Sequence, residues 1–264
     1  MNDTTTLESV TSKDGTKITF DRQGHGPPVV LVSGGSVDRS SNASLATILA
    51  ADFTVFNYDR RGRGESGDTQ PYAIQREVED IEAVIDAAGG SAHLYGSSSG
   101  AALALEATAA GAPVTKLALW EPPYILDENA RPPKDQVQQY ETMIAEGRRG
   151  DAAEYFMTQV VRLPAEFAAY AKTQPWWPAQ EALAHTLKYD AIIMGDYSLP
   201  ARSAQAVKVP TVVIFGTASM PFMPITADAL AKVLPKGKVR SLEGQEHNVD
   251  PTVLGPVLRE FFAR

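Results

Sequence analysis

The stretch Gly96-Ser97-Ser98-Ser99-Gly100 has the form Gly-x-Ser-x-Gly. The strand-like Ala92-His93-Leu94-Tyr95 precedes it and a helix-like run over 101–110 follows. Glycines two residues either side of a serine permit a tight, strained strand-to-helix turn in which the two elements approach closely. Such a turn lifts the central hydroxyl clear of the sheet at a helix N-terminus, whose positive end favours a developing anion. Of the three serines only Ser98 has both glycines at that spacing, which makes it the candidate nucleophile. A serine nucleophile needs a base, and four histidines are available. His25 lies in a Gly-rich turn, His93 inside the strand feeding Ser98, and His185 in a helix-rich segment. His247 lies in Gly244-Gln245-Glu246-His247-Asn248-Val249, between the last strand and the last helix. Loops at the carboxyl ends of strands line the crevice of an open α/β sheet, so His247 shares an edge with Ser98. Cysteine is absent, which excludes thiolate nucleophiles, disulfides and cysteine-based zinc sites.

The elements that must position these residues follow a β/α rhythm. Two early strands over 6–12 and 16–22 flank the Asp14-Gly15 turn signal. The unalternating run at 29–32 suits a central strand covered on both faces. Strands over 53–58, 91–96 and 114–120 alternate with helices over 41–51, 75–88 and 99–110. From 122 to 205 the rhythm breaks into a helical stretch rich in Pro and aromatics. It resumes with strands over 211–215 and 238–242 and helices near 225–234 and 251–262. The expected organisation is one α/β core, 1–121 and 206–264, with a helical domain at 122–205.

At 264 residues, 44% hydrophobic and 21% charged, the chain can build a full core unaided. A net charge of −8 argues against a nucleic-acid partner and against a basic membrane surface. No apolar run approaches the ~20 residues of a membrane span. Met1 to Thr6 show neither a basic nor an apolar leader segment, so the expected location is the cytoplasm.

Together these features resemble the α/β-hydrolase family. Val29-Val30-Leu31-Val32-Ser33-Gly34-Gly35 is similar to its oxyanion strand and loop, with Gly34-Gly35 in place of the usual His-Gly. Asp59-Arg60-Arg61-Gly62-Arg63-Gly64-Glu65-Ser66 resembles its D-x-R-G-x-G-x-S turn, a structural feature whose arginines carry no catalytic role. The resemblance implies a sheet of about eight mostly parallel strands, with a helical cap after the sixth. It also implies oxyanion donors at Gly35 and Ser99. The family's usual acid follows the strand after the cap, where this chain has Ser219. Glu121 offers itself instead, at the end of Lys116-Leu117-Ala118-Leu119-Trp120 and stiffened by Pro122-Pro123. Trp120-Glu121-Pro122-Pro123 resembles zearalenone lactonase and its relatives, which carry a Ser–Glu–His triad.

The implied reaction is acyl transfer: Ser98 attacks, His247 shuttles the proton and Glu121 orients the imidazole, with no cofactor or metal. The substrate expected is a moderately large apolar ester or lactone. Gly34, Ser36, Tyr124, Trp176, Trp177, Met220 and Phe222 are candidate contacts, beside Tyr197 and Met223. The chain is expected to be a monomer or a homodimer. A lyase or cofactor-free haloperoxidase on the same fold is one alternative. A degenerate small-molecule binding protein, suggested by Ser219, is another.

Overall fold

The computed structural model describes residues 5–263. The reading of the first residues as lacking a leader falls mostly on positions 1–4, outside those described. Eight strands form one sheet: β1 (Thr6–Thr11), β2 (Lys17–Gln23), β3 (Pro28–Val32), β4 (Thr54–Tyr58), β5 (Ala92–Ser97), β6 (Val114–Trp120), β7 (Thr211–Gly216) and β8 (Gly237–Leu242). Their order is β1-β2-β4-β3-β5-β6-β7-β8. The pairs β1–β2 and β2–β4 are antiparallel and all others parallel. Asp14-Gly15 makes the first turn: Gly15 has φ +88° and Asp14 Oδ1 accepts from the Thr16 N–H at 3.0 Å.

Helices α1 (Ala43–Leu49), α2 (Ile74–Ala87), α3 (Ser99–Ala110), α10 (Met223–Val233) and α11 (Pro251–Ala263) cover the two faces. The run at β3 shows why it reads as unbroken apolar sequence. Val30 and Val32 face the cluster built by α2, α3 and α10, while Val29 and Leu31 face α1 and α11. Successive strand residues point to opposite faces, and both faces are covered. Helix α2 ends where Gly89 and Gly90 take positive φ and the Gly90 N–H reaches back to the Ile85 carbonyl at 3.0 Å.

Between β6 and β7 lie only helices: α4 (Gln136–Ala145), α5 (Arg149–Tyr155), a π turn over Phe156–Val160, α6 (Ala165–Ala171), α7 (Trp177–Leu183), α8 (Leu187–Met194) and α9 (Ala201–Ala206), with short 3-10 turns. Tyr140, Met143, Ala152, Leu187 and Ala191 form a small core within this segment. Ile193 and Met194 of α8 and Ala204 of α9 join the main core, which docks the segment on α3. Among the described residues no helix is long and apolar enough to cross a membrane.

His93 lies at the sheet–α11 interface, half-buried. Its ring stacks on Phe262 at 4.9 Å and meets the edge of Phe53 at 6.1 Å. Burial, then the nearby Lys116 charge, lower its pKa from 6.5 to about 4. The folded state therefore holds this imidazole neutral where the unfolded chain would protonate it. Its contribution is present above pH 6.5 and is lost as pH falls through the window down to 4. His93→Phe should flatten the decline in melting temperature across that window, and unchanged slopes would count against this account.

Candidate active site

Five carboxyl-end loops of the sheet converge on one cavity of about 1130 Å³. Ser98 sits between β5 and α3 with φ 54° and ψ −127°, a strained conformation for a residue with a side chain. The two glycines are sterically required. A Cβ at Gly96 would lie 2.4 Å from the Gly100 carbonyl oxygen, and one at Gly100 would lie 2.3 Å from the Ser33 carbonyl oxygen. The loop after β3 runs beside the nucleophile turn: a Cβ at Gly34 would be 3.1 Å from that of Ser98. Gly34, Gly35, Ser36, Ser98, Ser99 and His247 all line the cavity.

Glu121 follows β6 in a left-handed conformation, φ 44°, and is 1% exposed. Its backbone N–H still bonds the Ile214 carbonyl at 2.9 Å, which turns the side chain along the sheet edge toward β7. Oε1 accepts the Gly216 N–H at 2.9 Å. Oε2 accepts the Ser219 hydroxyl at 2.8 Å and lies 2.6 Å from His247 Nδ1. The position where the family's acid was expected thus carries a hydroxyl that supports a carboxylate on the neighbouring strand.

The histidine loop is held from several sides. Trp120 Nε1 donates to the His247 carbonyl at 2.9 Å, and the Ala218 N–H bonds the Gln245 carbonyl at 3.0 Å. Gly216 leaves no room for a Cβ, which would meet that same carbonyl at 2.0 Å. The His247 side chain is 37% exposed, open to the cavity on the side away from Glu121. No hydrogen bond joins Ser98 Oγ to His247 among the described residues; catalytic hydrogen bonds often tighten only around substrate. An imidazole fixed through Nδ1 by a buried carboxylate presents Nε2 as a proton acceptor.

Residues 29–253 match the model of the alpha/beta hydrolase family. The chain belongs to that family. A solved alpha/beta hydrolase of Sphaerobacter thermophilus DSM 20745 is 50% identical, with 97% of this chain and 100% of that one covered and a TM-score of 0.90. A thermophilic esterase of Thermogutta terrifontis, solved with malate bound, shares 22% identity over 98% of each chain at a TM-score of 0.76, a likeness of fold alone. YraK, an uncharacterized hydrolase of Bacillus subtilis (strain 168), is 32% identical over 96 residues, so the match spans 35% of that curated relative's length.

In this alpha/beta hydrolase the pocket candidates separate. Met220, Phe222, Met223 and Tyr197 line the cavity. Tyr124, Trp176 and Trp177 are not among its lining residues. Tyr124 is buried in the main core, its carbonyl accepting from Thr226. Trp177 packs with Ala153, Met157 and Ala171, one layer behind Met157, which does line the cavity. Trp176 is 42% exposed. Tryptophan's size favours burial against small residues, and composition does not say which face a helix turns to the cavity. The helical segment adds Phe156, Met157 and Val160 of the π turn, which no sequence signal marks, to Tyr197, Gln180 and Asp190 on the cavity wall. Such turns recur at functional sites. His185 sits away from the cavity, its ring meeting Tyr189 edge-on with centroids 6.5 Å apart and its Nε2 3.9 Å from Asp68.

Proposed function

We propose that this chain is a serine hydrolase that cleaves a carboxylic ester or lactone of a moderately large apolar substrate. The observation that carries the reading is the 2.6 Å contact of buried Glu121 with His247, across one cavity from the strained Ser98 turn. Ser98 attacks the acyl carbonyl and His247 Nε2 takes its proton, then gives it to the leaving alkoxide. Glu121 holds the tautomer and stabilises the imidazolium. The Gly35 and Ser99 N–H groups receive the oxyanion, and water releases the acyl-enzyme. The segment 122–205 acts as a cap whose Phe156, Met157, Val160 and Tyr197 give the pocket its apolar wall. A cavity of about 1130 Å³ accommodates more than a short acetyl ester.

Ser219 takes the role of a donor to the triad acid in this reading. Ser219→Ala removes one hydrogen bond and leaves the Gly216 N–H and the His247 contact, so kcat should fall by about 10-fold or less. A loss as large as that of Glu121 itself would contradict the assignment. The function is tested with a series of p-nitrophenyl esters and aryl lactones. Turnover that rises with acyl size supports the reading, and inertness toward every ester and lactone overturns it.

A further inference from the structure

Asp190, in α8, is the most densely paired carboxylate at the cavity wall. Its Oδ1 accepts from Arg60 Nη1 at 2.8 Å, from Arg63 Nη2 at 2.9 Å and from the Ser99 hydroxyl at 2.8 Å. Its Oδ2 accepts from Arg63 Nη2 at 2.8 Å. Glu77 closes the far side, accepting from Arg60 Nε at 2.7 Å and Nη2 at 2.8 Å. Two guanidinium groups and two carboxylates thus balance in a buried cluster. Burial pushes the Asp190 carboxyl up, but Arg63 and then Arg60 outweigh it and hold the group below its ordinary value. It is charged at neutral pH.

The same cluster grips the loop after β3. Arg63 Nη1 donates to the Gly34 carbonyl and, at 3.2 Å, to the Val37 carbonyl. The Gly34 carbonyl and the Gly35 N–H belong to one planar peptide unit, so fixing the oxygen fixes the direction of the N–H. Gly35 backs directly onto Asp190: a Cβ there would lie 3.2 Å from Oδ2 and 3.4 Å from Ser99 Oγ. A Gly-Gly loop is otherwise free to rotate that peptide. A second grip comes from α7. Ser36, at φ 59°, donates to Gln180 Oε1 at 2.6 Å, and Gln180 Nε2 returns a bond to the Ser36 carbonyl at 3.3 Å.

We propose that Asp190 is a positioning residue for the oxyanion hole, setting the Gly35 and Ser99 N–H groups from the helical segment, with Arg63 fixing the peptide between Gly34 and Gly35. The proposal rests on the hydrolase reading above. It gives Arg60 and Arg63, structural residues in the sequence pattern, a part in aligning the site. It also makes a complete oxyanion hole depend on α8 being docked.

The test compares wild type, Ser99→Ala, Asp190→Asn and the double variant. Ester kinetics are measured together with affinity for an aryl trifluoromethyl ketone, whose adduct with Ser98 places an oxyanion in the hole. Affinity for the corresponding secondary alcohol, which forms no adduct, serves as the reference. Ser99→Ala should lower kcat about 10-fold and Asp190→Asn about 100-fold, with KM within about threefold. Ketone affinity should fall in step with kcat/KM while alcohol affinity holds. Because both substitutions weaken the Asp190–Ser99 contact, the loss in the double variant should be smaller than the product of the two single losses. Ser99→Ala leaves every charge in the cluster paired, so it carries the test even where Asp190→Asn fails to fold. Unchanged kcat and ketone affinity in Ser99→Ala would overturn the positioning role and leave a structural anchor. A wild type that neither turns over esters nor accepts a phosphonate on Ser98 would overturn the hydrolase reading, and this role with it.

Discussion

Ser98→Ala should abolish ester turnover, lowering kcat by at least about 1000-fold while the fold and the pocket persist. Ser99, the next residue on the turn, is no substitute nucleophile. Ser99 Oγ is engaged with Asp190 at 2.8 Å, on the side of the helix that faces the ionic cluster. Alanine meets the same left-handed backbone constraint at φ 54° as serine does, so the substitution removes an oxygen without adding strain. The melting temperature should stay within a few degrees of wild type. The loss should appear in kcat, measured with a p-nitrophenyl ester under saturating substrate. Turnover within about tenfold of wild type would place the nucleophile elsewhere.

Glu121→Gln should cost nearly as much, about 1000-fold or more in kcat. The Gly216 N–H is a fixed donor to Oε1. A glutamine would turn its carbonyl oxygen to that donor and its amide nitrogen toward His247. The imidazole would then accept at Nδ1 and carry its proton on Nε2, the tautomer that cannot take a proton from Ser98. Glu121→Gln should leave KM and the rate-independent binding of the alcohol inhibitor near wild-type values. A second substitution sharpens the test. Ser219 Oγ lies 2.8 Å from the carboxylate oxygen that faces His247, so Asp at 219 places a charge near the same point. Glu121→Gln combined with Ser219→Asp should recover part of the loss. Activity unaffected by Glu121→Gln would move the acid to another residue.

Much of the fold could be read along the chain because its signals are local. The run at 29–32 is apolar without alternation because it is covered on both faces, and Gly89-Gly90 ends α2 through positive φ. The turn around Ser98 was legible for the same reason: Gly96 and Gly100 are demanded by contacts of 2.4 and 2.3 Å within a few residues or on the adjacent strand. Glu121 could be suspected from its place at the end of β6 before two prolines. What stayed hidden depends on distant pairing. Ser219 reads as a missing acid until its hydroxyl is seen on Glu121, 98 residues away. Asp190 is one carboxylate in a helix, 91 residues from Ser99, and nothing in its neighbourhood marks its partners. In the sequence Trp120 is the last residue of a strand before Glu121, and its bond to the His247 carbonyl needs the two loops brought together. Trp177 fails as a pocket residue because an aromatic in a helix gives no sign of which side it will bury, and here it packs behind Met157.

The central claim is that Ser98, deprotonated through His247 and Glu121, forms a covalent acyl-enzyme. Incubation with an aryl alkylphosphonate followed by intact mass and peptide mapping tests it most directly. The account predicts one adduct per chain, on Ser98, formed with loss of the aryl leaving group and slowed by at least about 100-fold in Glu121→Gln. A protein that stays unmodified, or one modified at a residue other than Ser98, would contradict it.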